Sequence, residues 1–244
     1  MAPNKKAPKK AGKASSLKEL EKKKKQVFKP ILDNPYTQSN TWPFIEPDLS
    51  TTILDFLDVL LSPIGKYKTS TALVKQQVQP PDIVNFVYHG FNSTVEALEI
   101  QAGVNRGIRH DKLAKPQITH LFICKYDIVP NIITSMFPVL SYTASGSTRV
   151  KLVQLPRGSM DRISKAVGVE NTGIVGFTEG CPGAEALFEL VNSSVKDVEV
   201  PWLDGLLTGD MKFVAPGLRN IVTTAPVHQS KNKNKTKNEQ SDST

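Results

Sequence analysis

Asp82-Ile83-Val84-Asn85-Phe86-Val87-Tyr88-His89-Gly90-Phe91-Asn92-Ser93-Thr94-Val95-Glu96-Ala97-Leu98-Glu99 is the stretch whose reading decides the fold. The β-branched and aromatic run from Ile83 to Tyr88 predicts a strand, and Thr94 to Glu99 is helix-like. Between them Gly90 allows a close backbone approach, and Asn92 or Ser93 supplies a cap. A strand that turns directly into a helix leaves the first helical N–H groups pointing outward, which suits an anionic partner. The same corner is also readable as a plain connection with nothing bound, because short motifs of this kind recur without function.

On either side of this corner the chain alternates. Upstream, Thr52-Ile53-Leu54-Asp55 has capping form, and Ile53, Leu54, Phe56, Leu57, Leu60 and Leu61 recur at helical spacing up to Ser62-Pro63, where a stop is expected. A second helix is expected over Ser70–Val78, ended by Pro80-Pro81. Downstream, strands are expected at His120–Cys124, Val150–Leu155 and Thr172–Phe177. Helices are expected from Ile128 to Leu140 with interruptions at Pro130 and Pro138, from Gly158 to Val167, and from Pro182 to Val191. Alternating strands and helices predict an α/β fold, a three-layer α-β-α sandwich, and the long basic loop that separates the first strand from the second favours a mixed central sheet.

Charge divides the chain differently. Of 244 residues, 31 are Lys or Arg and 23 are Asp or Glu, a formal net charge of +8. Residues 1–29 hold eleven Lys and two Glu, and residues 229–244 hold four Lys and two acids, which leaves residues 30–228 at −3. The expected organisation is a basic tail over 1–29, an extended proline-aromatic docking arm over 30–48, an RNA-binding domain over 49–195, a second extended arm over 196–228 and a basic tail over 229–244. Lys-rich ends with few apolar residues do not fold alone and suit a polyanion, with nucleic acid ahead of a membrane surface. Ser16 to Val27 has capping form and is expected to become helical only on a partner. The arm containing Pro30, Pro35, Trp42, Pro43 and Phe44 packs either on its own domain or on another subunit. No secretory signal, lipidation motif or membrane-length apolar run is present in the sequence, so a soluble, nuclear protein is expected.

Chemistry is harder to find. Cys124 and Cys181 sit in apolar settings, and His89, His110, His120 and His228 have no ligand spacing, so no metal and no cofactor is expected. Lys125-Tyr126-Asp127 is read as a strand-end turn, and Glu96 and Glu99 as a solvated helix face. The loop from Gly103 to Gln117 carries Arg106, Arg109, Lys112 and Lys115 against Asp111, the one basic patch within the domain.

Gly90-Phe91-Asn92, Thr119–Cys124 with Asp127, and Val150–Pro156 followed by Met160 and Ile163 together resemble the kink-turn RNA-binding superfamily of ribosomal and ribonucleoprotein proteins. Lys29–Tyr36, Trp42-Pro43, Val150–Pro156 and Pro201-Trp202-Leu203 extend the similarity to the fungal member found in nuclear ribonuclease P and RNase MRP. The resemblance implies a noncatalytic RNA-binding subunit of those two particles, serving precursor-tRNA 5′ maturation and ribosomal RNA processing in the nucleus and its nucleolus. The implied partners are ribonuclease P RNA, RNase MRP RNA and the particles' other protein subunits, without a membrane, and no residue is catalytic. The implied RNA contacts are Gly90, Phe91, Asn92, Ser93 and Thr94 at the corner, and Val169 and Asn171 in the loop before the last strand. Arg106, Arg109, Lys112 and Lys125 complete the candidate set. Ser93 stands where the superfamily usually has a guanine-reading glutamate, and Glu96 where it has a lysine; both departures bear against a standard kink-turn. The other readings are a ribosome-assembly or small nucleolar particle protein of the same fold, and a protein scaffold with an empty corner.

Overall fold

Residues of opposite side-chain direction along each strand must find apolar partners on two faces, and the computed structural model of the chain shows what each face meets. It describes residues 24–34, 36, 42–73, 79–109, 115–203, 205, 209–210 and 213–226. In chain order the elements begin with β1 (Lys24–Asp33), α1 (Pro47–Leu73), a 3-10 turn (Asp82–Phe86), β2 (Val87–His89), α2 (Phe91–Asn105) and β3 (Ile118–Ile123). They continue with α3 (Ile132–Ser135), α4 (Phe137–Ala144), β4 (Lys151–Gln154), α5 (Ser159–Val167), β5 (Ile174–Thr178), α6 (Glu185–Ser194), a 3-10 turn (Pro201–Leu203) and β6 (Gly217–Pro226). The chain divides into two units, one of residues 36–214 and one made by the two ends, 1–35 and 215–244.

In the larger unit four strands pair in the order β2-β5-β3-β4. β3 and β4 run parallel, while β5 is antiparallel to both β2 and β3, so the sheet is mixed. Phe122, Val153, Val175 and Phe177 pack with Leu57 and Leu61 of α1, Ile163 of α5 and Leu187 of α6. Their neighbours Leu121, Ile123, Leu152 and Ile174 pack with Leu98 of α2 and Phe137 of α4. This is the α-β-α sandwich. Helix α1 approaches α5 closely because position 65 has no side chain: a Cβ on Gly65 would lie 2.5 Å from the Ala166 carbonyl oxygen. In the smaller unit β1 and β6 form an antiparallel ribbon of ten pairs, from Lys24↔Pro226 to Asp33↔Gly217.

Local structure departs from the sequence expectations in several places. Helix α1 runs through Pro63 to Leu73, so no stop occurs at Ser62-Pro63, and residues 70–73 continue the first helix; 74–78 lie outside the described residues. A proline inside a helix costs about 3 kcal/mol. Ser62 Oγ donates to the Asp58 carbonyl at 2.6 Å, and the fully buried Leu61 and Ile64 anchor the turn on both sides of the break. Ile83–Phe86 form a 3-10 turn rather than a strand. Only Ile83 is buried there, which does not match the alternation a sheet demands, and the strand is reduced to Val87–His89. The 128–140 stretch becomes two short helices, α3 and α4, divided at Met136 next to Phe137-Pro138. Lys24–Lys29, assigned to the basic tail and partly to the partner-induced helix, are strand residues of β1. Residues 1–23 and 227–244 lie outside the described residues. Trp42 packs against the apolar cluster of the larger unit that holds Leu98 and Phe137, and Val198, Val200 and Leu203 are buried in the same cluster, so these parts of the two expected arms fold onto their own unit.

Candidate nucleic-acid interface

Strand register decides which loops share a neighbourhood. His89 pairs with Val175, Ile123 with Ile174 and Ile123 with Gln154, so the C-terminal ends of β2, β3 and β4 meet the N-terminal end of β5. One end of the sheet therefore gathers the corner 89–94, the turn after β3, the turn before α5 and the loop 168–173. The Gly90 N–H donates to the Ile174 carbonyl at 2.9 Å, which ties the corner directly to the strand that follows the 168–173 loop.

The corner is built by Gly90, the N-cap of α2, with φ 86 and ψ 163. That combination is open essentially to glycine alone, and a Cβ there would have no atom within 4 Å. Neither Asn92 nor Ser93 caps the helix, because α2 has no side-chain cap hydrogen bond. Ser93 Oγ instead donates back to the His89 carbonyl at 2.7 Å. Asn92 is exposed and its amide makes no hydrogen bond among the described residues. Phe91 is half-exposed, its ring edge-to-face with Phe137. Thr94 is wholly buried, and its hydroxyl has no hydrogen-bond partner among the described residues. It faces the sheet at Gly176 and so does not belong to the exposed contact set.

The second helix that starts at this end, α5, is closed. Asp127 accepts from the N–H groups of Gly158 at 2.8 Å and Met160 at 3.0 Å, which makes it a remote cap of α5 and gives the Lys125-Tyr126-Asp127 turn a structural purpose. Of these two helix starts, α2 alone keeps its first N–H groups free of side-chain acceptors. The neighbouring loop is pre-formed: Ser164 Oγ accepts from the Thr172 N–H at 2.9 Å, and Thr172 Oγ1 donates to the Val169 carbonyl at 2.9 Å. Asn171, exposed, holds a left-handed φ of 56, and Val169 is half-exposed beside it.

Lys68 and Lys125 stand at this end without carboxylate partners among the described residues. The three ion pairs among the described residues use Lys151 and Arg162, not Lys68, Lys115 or Lys125. Lys68 Nζ lies 3.0 Å from His89 Nε2, so the imidazole accepts the bond in its neutral form. Burial, reinforced by the charges of Lys68 and Lys115, holds His89 below its ordinary value. Lys115 donates to the carbonyls of Val84 and Val87, both at 2.6 Å, and so fastens the 3-10 turn to β2 rather than waving in a basic loop. Lys125 sits 4.7 Å above the Trp42 ring, and burial lowers its pKa.

Arg106 and Arg109 are exposed but lie elsewhere. They follow the C-terminus of α2, about 22 Å from Phe91 at 1.5 Å per residue, at the opposite end of the sheet. Arg106 Nε donates to the Ala102 carbonyl at 3.0 Å, and the Arg109 side chain covers Gly103. Lys112 lies outside the described residues. The candidate set thus splits into a corner group (Gly90, Phe91, Asn92, Ser93, Lys125, Val169, Asn171) and a distant arginine group.

Two features at the corner escaped the sequence reading. Lys68 is delivered by the continuation of α1 past Pro63, which the expected stop concealed. Val129 and Ile132 are strongly exposed on a segment whose Ile128 packs at Gly173, next to the 168–173 loop. Their signal was available: apolar residues flanking Pro130-Asn131 cannot lie on a continuous helix face, so they were free to point outward. Burial pushes the thiols of Cys124 and Cys181 up to about 12 and about 11, and among the described residues no group of three His, Cys, Asp or Glu side chains could hold a metal ion.

The model of the RNase P subunit Pop3 family matches residues 23–205. The chain belongs to this family. The Ribonucleases P/MRP protein subunit POP3 of Saccharomyces cerevisiae is 25% identical over 226 residues, an alignment covering 89% of this chain and 98% of the relative. The Pop3 family match takes in β1 and all of the sandwich, so the sheet end described above lies wholly within it.

Proposed function

We propose that this chain is a noncatalytic RNA-binding subunit of nuclear ribonuclease P and RNase MRP, and that RNA lies against the sheet end formed by Gly90–Ser93 and Val169–Asn171. Its RNA partners are ribonuclease P RNA and RNase MRP RNA, its protein partners are the other subunits of those particles, and its work supports precursor-tRNA 5′ maturation and ribosomal RNA processing. Membership of the Pop3 family and the printed name of the yeast relative support the particle. The observation that carries the binding site is the uncapped start of α2 joined through Gly90 to the loop before β5, because free helical N–H groups bind phosphate and unpaired lysines at the same end add the charge that nucleic acid requires. The kink-turn superfamily, a fungal source and residence in the nucleus and nucleolus belong to this reading. So does the organisation into basic tails, extended arms and an RNA-binding domain, with the Lys-rich ends adding sequence-independent affinity.

Asn92→Ala tests it. Asn92 is exposed and makes no hydrogen bond among the described residues, so its removal is expected to leave the melting temperature unchanged. If its amide reads a base, affinity for ribonuclease P RNA falls by roughly 5- to 150-fold, the equivalent of about 1–3 kcal/mol. Unchanged RNA affinity in fluorescence anisotropy would remove the corner from the binding surface.

A further inference from the structure

The ribbon of β1 and β6 has two unlike faces. Register pairs Phe28 with Val222 and Leu32 with Leu218, and by strand alternation all four side chains lie on one face together with Gln26, Pro30, Asn220 and Thr224. From Gln26 to Leu32 that face carries no charge, and Lys24 is its one charged residue, at the end where the Lys-rich segments join. Phe28 is 62% exposed, Leu32 67%, Leu218 77% and Val222 53%. Lys25, Lys29 and Arg219 stand on the other face with Asp33 at its far end, among Val27, Ile31 and Ile221, which leaves that face net cationic. The segments preceding Lys24 and following Pro226 join the ribbon at the same end, because those two residues are register partners, and both segments are Lys-rich.

A two-stranded ribbon is marginally stable in water by itself, and a strip of large apolar groups about 20 Å long at 3.3 Å per residue needs a cover. Charge indicates the kind of cover. RNA affinity comes from neutralised phosphates, which the uncharged face cannot supply, whereas the cationic face and the two Lys-rich ends can. We infer that the face of Phe28, Leu32, Leu218 and Val222 docks on an uncharged, apolar surface of another protein subunit of the ribonuclease P and MRP particles, with the cationic face turned the other way. This rests on the proposed membership of those particles.

The test uses the full chain in purified particles, with a photo-crosslinking phenylalanine analogue placed at position 28, 222, 29 or 219. Positions 28 and 222 are expected to crosslink to one identified protein subunit of the particle, and positions 29 and 219 are not. Phe28→Ser combined with Leu218→Ser is expected to lower retention in particles washed at high salt by at least about tenfold, as loss of a buried apolar anchor does, while RNA affinity of the free chain stays as it was. Crosslinks from 28 and 222 to RNA, or to residues 36–214 of the same chain, would overturn the docking inference while the chain remains in the particle. A chain that is absent from the particles would overturn the inference and the proposed function together.

Discussion

Replacing Gly90 with alanine separates backbone strain from RNA contact. At φ 86 and ψ 163 an L-residue sits in a region that costs roughly 1–3 kcal/mol, and no neighbouring atom stands within 4 Å of the added Cβ, so strain is the whole cost to folding. For a domain of this size 1 kcal/mol moves the melting temperature by about 2–4 °C, so a cost of roughly 1–3 kcal/mol predicts a drop of about 2–12 °C. The same methyl group projects into the open space in front of α2, where a phosphate would have to approach. Losing one hydrogen bond to a charged group costs about 1.5–3 kcal/mol, so RNA affinity should fall about 10- to 150-fold. Gly180→Ala is the control: φ is +72 there, the space is also open, and the residue follows Thr178, which pairs with Ile118 at the far end of the sheet. Both variants are compared by calorimetry and by anisotropy with ribonuclease P RNA, at a temperature where each is folded. Equal RNA affinity for Gly90→Ala and Gly180→Ala would refute the placement of RNA at the corner.

Other consequences concern stability. His120 stacks on Phe188 with ring centroids 3.9 Å apart, and burial lowers its pKa from 6.5 to about 4. The unfolded chain then binds more protons between those values, so stability is lost as pH falls from 6.5 to 4, by about 3 kcal/mol in all; denaturant titrations with His120→Gln should show most of that slope removed. Gly65→Ala places a Cβ 2.5 Å from the Ala166 carbonyl oxygen and should destabilise by about 1–3 kcal/mol through overpacking, read as a lower denaturant midpoint. Asp127→Ala should cost about 0.5–2 kcal/mol as a lost cap of α5, and unchanged melting would show that the Gly158 and Met160 amides find water as readily.

The sequence made the corner legible because glycine between a strand run and a helix run has few other uses. It misled on the cap, since Asn92 and Ser93 look like capping residues while Gly90 itself occupies the N-cap. The layers of the sandwich followed from alternation, as Leu121 and Phe122 show by entering opposite cores. Local rules failed where tertiary packing overrode them, as at Pro63, whose helix is held by Leu61 and Ile64. The ribbon was hidden for another reason: Lys24 and Pro226 are about two hundred residues apart, and nothing local in a lysine-rich stretch announces a partner strand. The candidate set mixed two places for the same cause, because basic residues after α2 look adjacent to the corner in sequence and are a helix length away in space.

The proposed place of RNA is the sheet end where Gly90 meets Ile174. Ultraviolet crosslinking of assembled ribonuclease P, with the attached nucleotides mapped to residues by mass spectrometry, tests it most directly. With RNA there, adducts are expected within residues 89–94 and 168–173. Adducts confined to the Arg106–Lys115 loop and the Lys-rich ends, with the corner unmodified, would contradict it.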